Sequence, residues 1–344
     1  MRLMDLARQL KISHTTVSRA LNPDKQHLIS EEVRRKVIEL ADRSNYRPNR
    51  AAKAMVTGRT HTFGVILPTK LTSVFFNELI VKTLAGVFDV LRVEHHYTCK
   101  VVVLPNEENL ANLDPRALRG DMEGLLISAH CSPFLNRSNY LPPRLQAYWD
   151  KPAVVLNLQF GLGAHANFVT FDNFDAAYRA VTHLIKKKHR QIAFIHGRTD
   201  FEETRRRKEG YVRALKDHQI PVVGSLIRHF LPNTEEGGFA ATVQLFSQKG
   251  PKPTAIFAMN DEMAIGAIRA LEVLKKRCPQ DVAVMGFDGL LLGEYVRPRL
   301  STVAQPLRAM AKEGTQLLID LIEKRLKAPQ SKVLPSELVI RESA

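Results

Sequence analysis

Cysteine is scarce, with three in 344 residues. Cys99, Cys131 and Cys278 are odd in number, far apart, and in no CxxC or Cys/His spacing, which argues against a disulfide framework or a zinc site. They suit a reducing compartment, and a cytoplasmic location is expected. Long apolar runs are missing too. The N-terminus is polar from residue 5 on, and no later segment approaches the roughly 20 apolar residues of a membrane span. Enzyme signatures are absent as well: there is no GxSxG, no GxxxxGK[ST] and no HExxH. Residues 161–166, GLGAHA, match GxGxxA, but 167–171 read as a strand where a dinucleotide fold needs a helix. Asp261 and Asp288 could form an acid–base pair, yet no nucleophile or metal constellation accompanies them. No catalytic residue, metal or cofactor is expected.

Basic charge is plentiful. The formal net charge is +15, and residues 1–60 carry 13 Lys and Arg against 6 Asp and Glu. A head with that surplus suits a polyanion, with affinity falling steeply with salt as counterions are released. The later basic runs at 186–190, 205–208 and 275–277 lie at or near helix ends, where such runs are usually solvated.

The head is organised by the stretch MDLARQLKISHTTVSRALN. Leu3, Leu6, Ala7 and Leu10 recur at helical spacing, and Ile12 and Ser13 then break the pattern. Ser13 is a good N-cap for a second helix with Val17, Ala20 and Leu21 inward and His14, Thr15, Ser18 and Arg19 outward. Two short helices on a tight turn form a helix-turn-helix; a plain helical hairpin with a polar face is the competing reading. In the first case His14, Thr15 and Arg19 are placed to read base edges in a major groove. Ser13, Thr16, Ser18 and Asn22 are suited to phosphate oxygens.

A third helix begins near Ser30, with Glu31 and Glu32 in its first turn and Val33, Val37, Leu40 and Ala41 inward. After the turn NYRPNR, residues 49–56 read as a short separate helix, too short to stand alone in water. From Thr62 on, apolar runs at 63–67, 101–104, 124–128, 153–158, 168–171, 192–195, 255–258 and 282–287 alternate with longer amphipathic stretches. Those stretches are 77–93, 175–187, 209–218, 235–248, 261–276 and 307–326. The alternation predicts βαβ units and parallel sheets, too many for one sheet. The expected fold is a small all-α head followed by two doubly wound α/β subdomains around a cleft.

Ligands of open α/β sheets collect at the carboxyl ends of strands, here Pro68, Asp172, His196, Asn260, Asp261, Asp288 and Gly289. Carboxylates and amides suit a polyol, and Phe75 and Phe76 could supply an apolar face. Structural readings compete at each position. Asp261 fits a helix N-cap, Asn260 and Asp288 fit turns, Arg207 could be a solvated member of RRRK, and both phenylalanines could be core.

The head TTVSRALN, the turn NYRPNRAAKAM and the later motifs FFNEL, GDMEGLLI, DNF, ETRRRKEGY, AIFAMNDEMAIGAIRAL, PQDVAVMGFDG, RPRLSTVAQP and LPSELVIRES resemble the lactose-repressor/galactose-repressor family of bacterial transcription regulators. The resemblance spans essentially the whole chain and implies a core like that of periplasmic sugar-binding proteins. It implies a hinge helix, with Asn49, Ala52 and Met55 at the minor groove and Met55 as the wedge where leucine is usual. By itself Met55 reads as a packing residue. The resemblance places Arg207, Asn260, Asp288 and Asp175 on effector-contacting positions. Two departures bear on the effector: Ala176 where glycine is common, and the apolar Leu290-Leu291-Leu292 after Asp288.

The expected domains are a head at 1–46, a hinge at 47–61 and an effector and dimerisation core at 62–344. In that core an N-subdomain covers about 62–188 plus 304–333, and a C-subdomain about 189–303 plus 334–344. The expected function is sequence-specific DNA binding, most simply repression, by a homodimer on a near-palindromic operator under a sugar-like effector. Activation is the alternative within the class, and a solute-binding protein the alternative outside it. That protein would show an export signal and no basic head. The chain stops soon after LVIRES with no heptad tail, so no added tetramerisation element is expected.

Overall fold

The apolar stripes of the first 46 residues close on one another. The computed structural model describes residues 3–21, 23–46, 58–67, 77–94, 96–103, 122–128, 150–157, 167–197 and 202–344. It divides into two compact units, Met1–Thr60 and His61–Ala344. In the first, α1 (Leu3–Leu10), α2 (His14–Ala20) and α3 (Glu31–Arg43) enclose a small core of Leu6, Ala7, Val17, Ala20, Val37 and Ala41. Leu3, Leu10, Leu21, Val33 and Leu40 pack around its rim, as their spacing predicts. Asn22 and the hinge positions Asn49, Ala52 and Met55 lie outside the described residues.

The turn between α1 and α2 is made without glycine. Lys11 adopts a left-handed backbone, φ 52°. Its N–H donates to the Arg8 carbonyl, and the Ile12 N–H donates to that of Ala7. This double bond pattern satisfies two orphan carbonyls at the end of α1 and turns the chain sharply towards α2. Asn45, φ 47°, ends α3 by the same device.

The second unit holds two six-stranded sheets. The first is built from β1 (Thr62–Leu67), β2 (Thr98–Val103), β3 (Leu125–Ser128), β4 (Ala153–Leu156), β5 (Asn167–Phe171) and β11 (Ser331–Leu334), in the order β11-β5-β4-β3-β1-β2. All its pairings are parallel. The second contains β6 (Ile192–His196), β7 (Ile227–His229), β8 (Ala255–Ala258), β9 (Ala283–Asp288), β10 (Ser301–Ala304) and β12 (Glu337–Val339), in the order β12-β10-β9-β8-β6-β7. Only the β10–β12 pair is antiparallel. The central strands are buried on both faces, which is why they read as uninterrupted apolar runs. Strands β7, β10 and β11 escaped the sequence reading because they are short and carry polar residues.

The sheets are covered by α4 (Glu78–Leu91), α5 (Asn173–Lys186), α6 (Glu202–Asp217), α7 (Glu235–Ser247), α8 (Asp261–Val273) and α10 (Leu307–Ile322), with a short α9 (Leu292–Tyr295). Helix α6 begins seven residues before the expected start at 209, so the ETRRR segment is helical. The subdomain boundary also differs from expectation. Helix α5, assigned to the first subdomain by a crossover at residue 188, packs against α6 and strands β8, β10 and β12 of the second. The crossover lies before it, at Asp172, whose side chain caps α5 by accepting from the N–H groups of Phe174 and Asp175. Close approach enforces this packing, because a Cβ on Gly210 of α6 would stand 2.4 Å from the Phe174 carbonyl oxygen. Helix α10 returns to the first sheet, where it packs on α4 and strands β3, β4 and β5. Among the described residues no helix is long and apolar enough to cross a membrane.

Candidate functional site

Both sheets place the second strand beside the first and then reverse, so strand order switches between β1 and β3 and between β6 and β8. Crevices form outside the carboxyl ends of strands at such switch points. A cavity of about 310 Å³ lies there. Its walls come from Asn77, Glu78 and Leu79 at the start of α4, Glu203, Thr204 and Arg207 on α6, Asn233, and Met259, Asn260 and Glu262 around the start of α8. Asp288, Leu290 and Leu292, at and after the end of β9, complete it. The volume is at the small end of the range for small-molecule sites.

Arg207 and Asp288 form the floor. Arg207 is 3% exposed, so it is no solvated member of its basic run. Its Nε donates to Asn173 Oδ1 at 2.9 Å, and one terminal nitrogen donates to the Met259 carbonyl at 2.5 Å. The guanidinium lies over the Phe287 ring, 3.7 Å from the centroid, and 3.6 Å from the Asp288 carboxylate. A cation buried this deeply needs these partners. Asp288 sits at φ 135°, a backbone region that side chains rarely adopt, and accepts from Gln305 Nε2 at 2.5 Å. Burial pushes its carboxyl above the usual carboxylate range, against the pull of Arg207 and with a further push from Asp261.

Asn260, not Asp261, is the N-cap of α8: its Oδ1 accepts from the Met263 N–H at 2.9 Å, and its Nδ2 donates to the Asn233 carbonyl. Asp261 is fully buried and organises the turn after β9. Its carboxylate accepts from the Leu290 N–H at 2.7 Å and from the Thr302 hydroxyl at 2.5 Å, while Thr302 accepts from the Gly289 N–H. Burial raises the Asp261 carboxyl to about 6.

Of the four described effector candidates, Arg207, Asn260 and Asp288 line the cavity and Asp175 does not. Asp175 is exposed in the first turn of α5 and pairs with Arg179 at 2.8 Å, four residues on. The inward residue of that turn is Asn173, which holds Arg207. Phe75 and Phe76 lie outside the described residues. Sequence reasoning missed Asn173, Glu203, Thr204 and Asn233. The first three lie within the DNF and ETRRRKEGY motifs, where helical phase from a correct start would have turned them inward; Asn233 carries no signal.

A second surface is on the head. Ser13 caps α2 by accepting from the Thr16 N–H at 3.0 Å, and the two hydroxyls lie 2.9 Å apart. With Val17 and Ala20 buried, His14, Thr15, Ser18 and Arg19 are all exposed. Thr16 is half-buried beside its cap.

Known proteins resemble the chain over both of its units. Residues 2–49 match the model of bacterial regulatory proteins of the lacI family, and residues 181–344 match the periplasmic binding protein-like domain. The probable HTH-type transcriptional repressor ExuR of Bacillus subtilis is 32% identical over 99% of this chain and 97% of its own. The transcriptional regulator CelR in complex with cellobiose superposes with a TM-score of 0.74 at 27% identity, over 100% of both chains. The lac repressor dimer bound to operator and an anti-inducer superposes with a TM-score of 0.85 at 25% identity, over 100% of this chain and 98% of that one. The relatives are transcription regulators and not enzymes. This chain belongs to the LacI family of bacterial transcription regulators.

Proposed function

We propose that the chain is a repressor that binds a near-palindromic operator as a homodimer and is controlled by a neutral, hydroxyl-rich molecule in the cleft. The observation that carries the reading is the cavity floor, where a buried Arg207 and Asp288 sit side by side beneath amide and hydroxyl groups. Among the described lining residues, Glu78, Glu203 and Glu262 face a single guanidinium, and Asp288 beside it keeps its proton to higher pH than an ordinary carboxyl. That balance accepts hydrogen bonds from sugar hydroxyls and repels a sugar phosphate. The apolar Leu290 and Leu292 supply surface for the face of a ring. The cellobiose complex of the similar regulator CelR supports a sugar-like ligand.

On the head, Arg19, His14 and Thr15 read base edges, and Ser13, Thr16, Ser18 and Asn22 hold phosphates. The hinge positions Asn49, Ala52 and Met55 enter the minor groove at the operator centre, with Met55 as the wedge. Effector binding works only by differential affinity for two states of the core. Repression is favoured over activation by the similarity to the probable repressor ExuR and to the lac repressor. The test is a fluorescence anisotropy titration of full-length protein on an operator fragment, with a panel of neutral mono- and disaccharides and their phosphates. A neutral sugar that shifts operator affinity supports the reading. Response only to phosphorylated sugars overturns the effector class.

A further inference from the structure

His61, His96 and Glu323 meet at the amino end of the first sheet, far from the cleft-facing ends of its strands. His61 precedes β1, His96 lies in the loop between α4 and β2, and Glu323 ends α10. Each offers one ligand atom, two ring nitrogens and a carboxylate oxygen, and the three atoms lie within 4.8 Å of one another. Two imidazoles and a carboxylate are the donor set of a borderline divalent cation, and three protein ligands leave a fourth position for water. We infer that His61, His96 and Glu323 form a Zn²⁺-binding site.

The surroundings hold the ligands in place. His61 adopts a left-handed backbone, φ 49°, fixed on both sides: its N–H donates to Glu123 Oε1 at 2.8 Å, and its carbonyl accepts from the Thr98 N–H at 2.9 Å. A strained non-glycine conformation persists only where its neighbours determine it. The His61 ring stands edge-on to those of His96 and Tyr97, each with its centroid at 5.4 Å. Tyr97 is buried and donates its hydroxyl to Glu323 Oε1 at 2.6 Å, which orients the carboxylate. Partners of this kind set ligand geometry in metal sites. Glu94 Oε2 lies 3.8 Å from His96 Nδ1 and adds negative charge beside the site. His96 is exposed and opens a path from solvent. Coordination at about 2.1 Å needs ligand atoms roughly 3.4 Å apart. Binding therefore draws the three atoms together, and His96 is the exposed member of the set. The cysteine pattern gave no hint of this site, because its ligands contain no sulfur and converge only in the fold.

The test uses full-length protein stripped of metal with a chelator and then freed of it. ZnCl₂ is titrated by calorimetry, and Co²⁺ is used as a spectroscopic substitute. The expected result is one tight equivalent per chain, a Co²⁺ absorption of low-coordinate type and a rise in melting temperature with Zn²⁺. His96→Ala removes an exposed side chain and leaves the fold intact by circular dichroism. His61→Asn keeps a residue that tolerates left-handed backbone, and Glu323→Gln keeps an acceptor for Tyr97. Each is expected to weaken Zn²⁺ binding at least about tenfold. No stoichiometric uptake by the wild-type chain, or uptake unchanged in the folded His96→Ala protein, overturns the assignment.

Discussion

Glu78 accepts the backbone N–H of Leu291 with both carboxylate oxygens, at 3.0 and 2.8 Å. Glu78 opens α4 on the first sheet, and Leu291 follows β9 of the second, so the bond spans the cleft. Lys82, one turn on, pairs with Glu78 at 2.7 Å and donates to the Gly289 carbonyl at 2.7 Å. Together they latch the turn that carries Asp288 against α4.

Glu78→Ala is therefore expected to favour the open cleft. Charge-assisted hydrogen bonds contribute about 1.5–3 kcal/mol, which corresponds to a loss of roughly tenfold or more in effector affinity. Calorimetric titration of the variant with the effector of the wild-type chain measures it. Unchanged affinity would show that the latch does not follow ligand occupancy.

Arg207→Ala leaves Asp288, Asn173 and the Met259 carbonyl without their buried cation. Removing one partner of a buried pair costs about 3–5 kcal/mol. The variant should unfold at lower denaturant and lose its effector response, whereas a solvated arginine would leave both intact.

The buried carboxyls give stability a pH signature. Asp288 and Asp261 are held above the usual carboxylate range, chiefly by burial, Asp261 to about 6. The native state thus keeps protons that the unfolded chain has released, and stability falls as pH rises from about 4 through their folded values. In Asp288→Asn one of these groups is gone. Its melting temperature relative to the wild type should climb across that window, and parallel profiles would contradict the burial argument.

On the head, Arg19→Ala and Ser13→Ala should separate reading from folding. Arg19 is exposed, so its loss should leave the melting temperature in place and relax base preference at one position by about 1–3 kcal/mol. Ser13 caps α2, and its loss should cost about 0.5–2 kcal/mol of stability. Binding to a series of single-base operator variants, beside thermal melts, distinguishes the two.

The periodic parts of the fold were legible in the sequence. The stripes of α1 and α2 and the apolar runs of the central strands follow directly from spacing, because each faces a core. Helix ends were less legible. Lys11, Asn45, Lys188, Gln219, Lys275 and Lys324 all take left-handed backbone where glycine would have announced a stop. The true start of α6 does not show in the sequence because EETRRRK is too polar to form a stripe, and the burial of Arg207 is hidden with it. Asp175 and Asn173 show the limit at the site. Both begin α5, but helical phase turns one outward to Arg179 and the other inward to Arg207. Asn260 and Asp261 are a second such pair, since either side chain could cap α8 and only packing decides which one is buried.

The most direct measurement is selection of binding sites from random duplex DNA by the full-length protein at near-physiological salt. The account predicts a near-palindrome with a flexible pyrimidine–purine step at its centre, where a minor-groove wedge would kink it. Recovery of sequences with no shared preference, or of a single half-site without symmetry, would contradict a dimeric operator-binding repressor.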